Sequence, residues 1–201
     1  MNGAKFSVFL EIEKKTSKFA FFVLMEEISY LLLGGNIGDR MEYLHRAVDL
    51  LRRDAGNVTA LSAVYESEPW GFEDPVWFLN QVAVVETNLS PVDLLAVIRQ
   101  IEQHLGRPPV RDGYQARTMD IDILLYGKHI INLPELTIPH PRMAERMFAL
   151  APMAELAPDL EHPVLQCTMQ CLRDTCSTLT IECSTLTFPR GEGTERGKGG
   201  G

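Results

Sequence analysis

An apolar strand that carries two aspartates constrains the fold of this chain more than any other feature. Residues 119–125 read Met-Asp-Ile-Asp-Ile-Leu-Leu, and alternate side chains of a β-strand point to the same face of the sheet. Asp120 and Asp122 are therefore predicted to project together, about 7 Å apart. Two carboxylates this close repel each other unless water or a cation screens them. The strand is predicted to lie either at a solvated edge or beside a site for one or two Mg²⁺ ions.

The rest of the hydrophobic pattern alternates strands with helices. Strands are predicted at 28–33, 58–65, 77–87 and 119–126. Helices are predicted to begin after Asp39 and after Ser90, and a further helix is predicted within 142–156. This βαββαβ order predicts an α+β fold, a ferredoxin-like sandwich of an antiparallel or mixed sheet with helices on one face. Long loops, which often carry function, separate the strands, and the C-terminal helical segments are additional. The proline-rich stretch 134–143 is expected to be irregular.

The acidic balance of the chain narrows the classes of partner. Of 201 residues, 19 are Lys or Arg and 27 are Asp or Glu, for a net charge of −8, which opposes a broad surface for nucleic acid or anionic lipid. The apolar run 19–25 is shorter than the about 20 residues that span a bilayer and has no signal-peptide cleavage pattern. The four cysteines match no CxxC or zinc spacing. We expect a soluble cytoplasmic protein with no nucleic-acid, membrane or obligate protein partner.

Arginines gather around the two aspartates despite the negative net charge. They are Arg107, Arg111 and Arg117 in the loop before the strand, and Arg142 and Arg146 after it. Guanidinium groups clamp phosphate oxygens that a metal ion bridges, so this cluster favours a Mg²⁺-nucleotide site. Each arginine taken singly fits a solvated surface equally well. His140, which lies between two prolines, fits a structural role or a donor to phosphate.

The start of the strand 77–87 carries a second candidate binding group. Phe78 and Asn80 share one face of this strand, beside the polar loop 70–75. A phenyl ring and a carboxamide can bind a flat heterocycle by stacking and paired hydrogen bonds. The alternative, which this pattern alone favours, is core packing with one hydrogen-bonded asparagine.

An ordered series of motifs over residues 28–171 resembles the hydroxymethyl-dihydropterin pyrophosphokinases of folate biosynthesis. The motifs are Leu33 to Asp39 (LGGNIGD), Tyr65 to Gly71 (YESEPWG), Phe78-Leu79-Asn80, Glu102 through Gly106-Arg107, Arg117 to Asp122 (RTMDID), and Pro139 to Met143 (PHPRM) with Arg146 and Phe148. The resemblance implies that the intact pyrophosphoryl group of ATP is transferred to the hydroxymethyl oxygen of the dihydropterin, with release of AMP.

The resemblance also implies a role for individual residues. Asp120 and Asp122 would hold two Mg²⁺ ions, and together with Arg107 and Arg117 they would form the catalytic set. The nucleotide would contact Arg107, Tyr114, Arg117, His140 and Arg146. The pterin would lie between Phe78 and Phe148, with Asn80, Ser67 and the backbone from Glu68 to Trp70 reading its edge. This reading agrees with the chemistry, because phosphoryl-type transfer needs positioning and charge neutralisation more than a strong base.

Parts of the chain depart from the family pattern. Tyr114 stands where family members often have Trp in the mobile catalytic loop, and Gln115-Ala116 replaces a common Gly-Pro or Ala-Pro. We expect an N-terminal extension at 1–27, the pyrophosphokinase domain at 28–176, and a poorly ordered glycine-rich tail at 177–201.

Two other functions fit part of the pattern. A Mg²⁺-dependent phosphohydrolase would also use Asp120, Asp122 and arginines, but the chain lacks the glutamate-rich helix that would hold an activated water. A ferredoxin-like RNA-binding module would present aromatics on a basic sheet face, which the net charge opposes. An assay with ATP and hydroxymethyl-dihydropterin separates the three functions.

Overall fold

The computed structural model describes residues 26–107 and 116–176 together with the backbone of residues 181–184. Within these residues the strands are β1 (Glu27–Gly35), β2 (Asn57–Leu61), β3 (Val64–Ser67), β4 (Phe78–Thr87), β5 (Asp120–Tyr126), β6 (Ile131–Leu133), β7 (Leu136–Ile138) and β8 (Ile181–Ser184). The helices are α1 (Arg40–Asp54), α2 (Pro91–His104), α3 (Met147–Leu156) and α4 (Met169–Thr175), and a 3₁₀ turn spans Met143–Glu145.

Six strands form an antiparallel sheet in the order β5-β1-β4-β3-β8, with β2 paired to the second half of β4. The single strand predicted at 58–65 is in fact two strands. The chain breaks at Ser62, whose amide donates to the carbonyl of Val82 over 2.9 Å while its hydroxyl accepts from the Val82 amide over 3.0 Å. These bonds let β2 and β3 pair with different halves of β4.

Both faces of the sheet are covered by helices. The central strand β1 is apolar on both faces, with Leu31 and Leu33 facing α1 and α2, and Leu32 facing α3 and α4. All three leucines are buried, and each buried side chain of this size stabilises the fold by about 1.5–3 kcal/mol. The α+β ferredoxin-like prediction is confirmed, but the prediction of helices on one face holds only for α1 and α2. The C-terminal helices form a second layer.

The predicted starts of the first two long helices are confirmed. The side chain of Asp39 accepts a hydrogen bond from the Glu42 amide over 3.0 Å at the start of α1. Ser90 does the same for the Asp93 amide at the start of α2, and Pro91 occupies the first turn, where the absence of an N–H costs nothing.

In the C-terminal half, one prediction is wrong in detail and another is confirmed. The stretch 134–143 is not wholly irregular, because it contains β7, in which buried Leu136 and Ile138 flank exposed Thr137. The helix predicted within 142–156 is confirmed, since α3 begins at Met147 directly after the 3₁₀ turn and contains Pro152.

The terminal predictions fall largely on residues that the structure leaves undescribed. Residues 1–25 of the predicted extension lie outside the described residues, as do Arg111, Tyr114 and Gln115 in the predicted catalytic loop. Residues 181–184, which belong to the predicted tail, form a strand that pairs with β3. This pairing satisfies backbone groups that an edge strand would leave open. In the described ranges, no helix has the length and apolar character needed to cross a membrane.

Candidate active site

The ends of three neighbouring strands bring the predicted site residues together. In the sheet register, Gly34 at the end of β1 lies opposite Asn80 of β4 on one side and Asp120 of β5 on the other. Two residues earlier, Leu32 lies opposite Asp122. A Cβ atom on Gly34 would lie 3.2 Å from Oδ1 of Asn80, a tight contact. Because Gly34 has no side chain, the space between the amide of Asn80 and the carboxylate of Asp120 stays open.

A pocket opens over this space, between the sheet and the start of α3. Its lining comprises Leu32, Gly34, Ser67, Glu68, Trp70, Phe72, Phe78, Asn80, Arg117, Asp120, Asp122, His140, Arg146 and Phe148. Most of the predicted site residues are in this set. Arg107 lies behind the lining, in contact with Asp120, and Tyr114 is outside the described residues. The pocket residues that the sequence prediction missed are Leu32, Gly34 and Phe72.

Asp120 is held by two arginines. Its Oδ1 accepts from Nη1 of Arg107 and its Oδ2 accepts from Nη1 of Arg117. Burial alone would raise the pKa of Asp120, but the positive charges of Arg117 and Arg107 outweigh it and lower the pKa. Asp120 is therefore an ionised carboxylate whose charge the two guanidinium groups balance.

Asp122 has a weaker set of partners. Its Oδ2 lies 3.6 Å from Nη1 of Arg146 and 3.9 Å from Nε2 of His140. Burial, reinforced by the negative charge of Asp120, raises the pKa of Asp122 to about 6. Asp122 therefore carries a poorly compensated charge near neutral pH, which a cation would stabilise.

His140 and Arg146 face this carboxylate from the segment after β7. Burial, with the charge of Arg146, lowers the pKa of His140 to about 4, so its imidazole is neutral at pH 7 and offers one N–H donor. The Nε atom of Arg146 is buried and has no hydrogen-bond partner in the described part of the protein. An unsatisfied guanidinium N–H beside a pocket is suited to an anionic ligand, because leaving it unpaired is costly.

Glu102 contacts Arg107 behind the pocket, and the sequence reasoning gave this residue no role. It lies on the buried face of α2, where only 2% of its surface is exposed, and its Oε1 contacts Nη1 of Arg107. The same oxygen accepts from the amide of Ile121 over 2.9 Å. Burial and the charge of Asp120 raise the pKa of Glu102 to about 7. A carboxylate four residues after Ile98, on an otherwise apolar helical stripe, is the signal that could have identified it.

The opposite side of the pocket is aromatic. Phe78 meets Phe72 edge-on with ring centroids 6.1 Å apart, and Trp70 meets Phe148 in the same way at 6.1 Å. The guanidinium of Arg146 lies 5.6 Å from the centre of the Phe148 ring, within the range of a cation–π contact. Nδ2 of Asn80 donates to the hydroxyl of Ser67 over 2.9 Å. The aromatic side thus presents flat apolar surface with an amide at its floor.

The two sides suit two different ligands. Carboxylates and arginines bind metal ions and phosphate groups, whereas aromatic rings with an amide bind a flat heterocycle. No group of three or more His, Cys, Asp or Glu residues suited to a metal ion occurs among the described residues. A metal ion at Asp120 and Asp122 would complete its coordination with water or with substrate oxygens.

Known proteins of one family are similar to this chain. The family described as 7,8-dihydro-6-hydroxymethylpterin-pyrophosphokinase matches residues 30–158. A 2-amino-4-hydroxy-6-hydroxymethyldihydropteridine pyrophosphokinase of Bacillus subtilis (strain 168) is 48% identical over 139 residues, which are 68% of this chain and 82% of the relative. The protein of that name from Pseudomonas aeruginosa is 43% identical over 136 residues, 67% of this chain and 83% of the relative.

Solved structures have the same fold at lower identity. Plasmodium falciparum HPPK-DHPS wild type with SDX-DHP aligns with a TM-score of 0.63 and 18% identity, covering 74% of this chain and 44% of that chain. The wild-type HPPK-DHPS structure from the same organism aligns with a TM-score of 0.62 and 18% identity, covering 77% and 46%. This chain spans less than half the length of those solved chains, and the likeness concerns the fold alone. On the family match and the relatives' identity, the chain belongs to the 7,8-dihydro-6-hydroxymethylpterin-pyrophosphokinase family.

Proposed function

We propose that this protein transfers the pyrophosphoryl group of ATP to the hydroxymethyl oxygen of 6-hydroxymethyl-7,8-dihydropterin, giving the pterin diphosphate and AMP. The observation that carries the proposal is the register at Gly34, which sets the carboxylate of Asp120 and the amide of Asn80 on either side of one pocket floor. A phosphate-binding side and a heterocycle-binding side therefore share one pocket. A reaction that joins a phosphate donor to a flat acceptor needs this arrangement.

The charged side is proposed to bind the nucleotide. Arg107, Arg117 and Arg146 provide guanidinium donors for the phosphate oxygens, and neutral His140 provides one more donor. Arg107 and Arg117 both contact Asp120. We expect them to transfer part of their hydrogen bonding to the phosphates when a cation takes over the neutralisation of Asp120. Tyr114, in the segment between the two arginines, is proposed as a further nucleotide contact from the sequence resemblance alone.

Asp120 and Asp122 fit a site for two Mg²⁺ ions. Both carboxylates point to the pocket, and the raised pKa of Asp122 marks a charge that lacks a strong partner. Mg²⁺ prefers oxygen ligands and commonly binds one or two carboxylates together with substrate phosphates, which agrees with the absence of a third ligand in the described residues. When bound, such ions neutralise the phosphate charge that develops during the transfer.

The aromatic side is proposed to bind the pterin. Phe78 and Phe148 provide ring surfaces for stacking, while Asn80, Ser67 and the backbone from Glu68 to Trp70 provide donors and acceptors for the edge of the ring. The existing hydrogen bond between Asn80 and Ser67 fixes the orientation of the amide. The side chains therefore meet the pterin with little reorganisation, which favours affinity.

The proposed reaction is an in-line displacement. The hydroxymethyl oxygen forms a bond to the β-phosphorus, the bond from that phosphorus to the α,β-bridging oxygen breaks, AMP leaves, and the hydroxyl proton is released. In a loose transition state the attacking oxygen carries little charge, so a strong base is not required. The contribution of this chain is to position the two substrates and to balance charge with Arg107, Arg117 and Arg146.

The proposal is tested by incubating the protein with ATP, Mg²⁺ and 6-hydroxymethyl-7,8-dihydropterin. We expect AMP and the pterin diphosphate to form in equal amounts, with little AMP when the pterin is omitted. A phosphohydrolase would consume ATP at the same rate without the pterin, and this result would refute the proposal. An Asp122→Asn variant serves as the matched control, because it keeps the shape of the side chain and removes its charge.

A further inference from the structure

One buried amide joins the two loops that border the pocket. Asn36 lies in the turn between β1 and α1 with 3% of its surface exposed. Its Oδ1 accepts from the backbone amide of Arg117 over 2.9 Å, and its Nδ2 donates to the backbone carbonyl of Val76 over 3.2 Å. The backbone amide of Asn36 also donates to the carbonyl of Arg117 over 3.0 Å. A single side chain thus contacts both loops through opposite ends of its amide.

The two loops lead to different halves of the pocket. Val76 precedes Phe78, the first residue of β4 and part of the aromatic side. Arg117 lies on the charged side and is followed by Asp120 at the start of β5. The side chain of Asn36 therefore bridges the backbone of a pterin-side loop and the backbone of a nucleotide-side arginine.

Few buried side chains hold either loop in place. None of residues 68–77 is buried, and residues 116–118 are all partly exposed. Few buried apolar contacts mean a low local stability, so individual hydrogen bonds from a rigid element weigh heavily. The turn at Asn36 packs closely against the second of these loops, since a Cβ atom on Gly35 would lie 2.3 Å from the carbonyl oxygen of Thr118. Only glycine permits the backbone at residue 35 to come this close to the backbone of Thr118.

The first residue of α1, Arg40, also forms a hydrogen bond with the pterin-side loop. Nη1 of Arg40 donates to the carbonyl of Trp77 over 2.7 Å and to Oε1 of Glu66 over 2.6 Å. Arg40 contacts only the pterin-side loop and β3 in these bonds, whereas Asn36 contacts both loops. Asn36 is therefore the residue through which a displacement of one loop would reach the other.

We propose that Asn36 is a positioning residue that couples nucleotide binding to pterin binding. The inference rests on the proposed function, because it assigns the nucleotide to the loop of Arg117 and the pterin to the loop of Val76. When the nucleotide orders Arg117, the amide of Asn36 is held in place and holds the carbonyl of Val76 in turn. The pterin-side loop then loses less conformational entropy when the pterin binds. Nucleotide binding therefore increases the affinity for the pterin, which is positive coupling between the two sites.

The side chain must be an amide for this role. The Arg117 amide needs an acceptor and the Val76 carbonyl needs a donor, and a carboxamide offers both. An Asn36→Asp variant keeps the acceptor and loses the donor at nearly the same volume. An Asn36→Leu variant keeps the approximate shape and loses both. The two variants therefore separate the bond to one loop from the bonds to both.

The control is a buried amide that contacts neither loop. Gln81 on β4 is fully buried, and its Nε2 donates to the carbonyl of Ser62 over 2.8 Å. A Gln81→Met variant removes this hydrogen bond at nearly constant volume, so it reports the effect of losing a buried hydrogen bond elsewhere in the sheet.

The experiment measures pterin affinity by calorimetry with and without Mg²⁺ and an ATP analogue in which CH₂ replaces the α,β-bridging oxygen. For the wild-type protein and Gln81→Met, we expect the nucleotide to tighten pterin binding by about tenfold or more, within the usual range of coupling between sites. For Asn36→Asp, we expect nucleotide affinity to stay within about threefold of wild type while the coupling falls to about twofold or less. Asn36→Leu should lose the coupling as well, and the pterin KM should rise more than kcat falls.

Several results would overturn the inference. These are wild-type coupling in Asn36→Asp, an equal loss of coupling in Gln81→Met, or an Asn36→Asp protein that does not fold, which would assign the residue to stability alone. A wild-type protein that forms AMP and the pterin diphosphate but shows no coupling would overturn the role of Asn36 and leave the proposed function standing. A wild-type protein that forms neither product would refute the proposed function instead.

Discussion

The two halves of the pocket satisfy their polar groups in different ways. On the aromatic half, the amide of Asn80 is paired with Ser67 and the rings of Phe78 and Phe148 each meet an aromatic neighbour. On the charged half, Asp122 has a pKa raised to about 6, and Nε of Arg146 is buried without a partner within the described residues. The polar groups of the aromatic half named above are paired within the protein, whereas Asp122 and Nε of Arg146 on the charged half are suited to a cation and an anion, respectively.

Because of this difference, we expect the charged half of the pocket to limit the activity. A preformed aromatic surface loses affinity in proportion to the contact that is removed, because its remaining groups stay satisfied. A set of coupled charges behaves otherwise, since removal of one member leaves others buried and unpaired. Substitutions on the charged half should therefore have the larger effects, and four predictions test this order.

The largest effect is expected for Asp122→Ala. We expect turnover to fall at least about a hundredfold, because the loss of ~3 kcal/mol of metal-mediated stabilisation has that effect on a rate. The fold should be retained, since removal of one carboxylate relieves repulsion with Asp120. AMP release and circular dichroism are measured on the same sample, with Asp49→Ala on the exposed side of α1 as the control. More than about a tenth of wild-type activity in Asp122→Ala would contradict the two-metal role.

A smaller, selective effect is expected for Phe78→Ala. Stacking of a heterocycle on an aromatic side chain contributes about 1–3 kcal/mol, so the KM for the pterin should rise roughly fivefold to 150-fold. The KM for ATP should change little, because Phe78 is on the aromatic half. Steady-state kinetics with each substrate varied in turn give both constants. Equal increases in the two KM values would show that the halves do not bind separate substrates.

The pH dependence of stability tests the charged half without substrates. The raised pKa of Glu102, about 7, means that the folded protein keeps a proton that the unfolded chain releases above its ordinary value near 4.5. A rise in pH from about 4.5 to 7 should therefore destabilise the wild-type protein through Glu102. Glu102→Gln lacks this proton, so its free energy of unfolding relative to wild type should increase over that window by on the order of 3 kcal/mol.

The comparison of the two proteins isolates Glu102. Asp122, with a raised pKa, acts in the same direction between its ordinary range and about pH 6, and His140, with a lowered pKa, acts in the opposite direction between about pH 4 and 6.5. Both groups are present in each protein and largely cancel. Urea unfolding at a series of pH values, with exposed Glu135→Gln as a control, gives the difference. A difference that is flat with pH would contradict a proton held at Glu102.

The smallest effect is expected at the outer edge of the aromatic half. Strand β8 pairs with β3, and Ile181 lies opposite Ser67 in the register. A chain that ends at Cys176 should keep kcat within about twofold, and it should be slightly less stable than a chain that ends at Ser184, because the β3 edge is then open. Thermal unfolding and AMP release of the two chains test this. A loss of activity on removal of residues 177–184 alone would place β8 among the groups that shape the pocket.

Most of the fold was predictable from local patterns. The caps at Asp39 and Ser90 and the alternation in β5 are readable in the sequence, because each depends on a few neighbouring residues. The break at Ser62 and the position of β8 depend on pairing with β4 and β3, which are distant in sequence. The second helical layer was missed as a layer because periodicity locates a helix but not the face that it covers.

The sequence predicted most residues of the pocket, but it did not predict the hydrogen bonds and ion pairs that join them. Asp120 and Asp122 followed from the strand period, whereas the roles of Arg107 and Arg146 came from the resemblance. Glu102 and Asn36 were not assigned, since their importance lies in contacts with Arg107, Arg117 and Val76 that only the folded chain brings together. Tyr114 stays a prediction.

The central claim is that one pocket passes a pyrophosphoryl group intact from one half to the other. The most direct measurement follows the label from ATP carrying ³²P at the β position in a reaction with 6-hydroxymethyl-7,8-dihydropterin. We predict that the label appears in the pterin diphosphate, in amounts equal to the AMP formed. Label in ADP or in free phosphate or pyrophosphate, with none on the pterin, would contradict the claim.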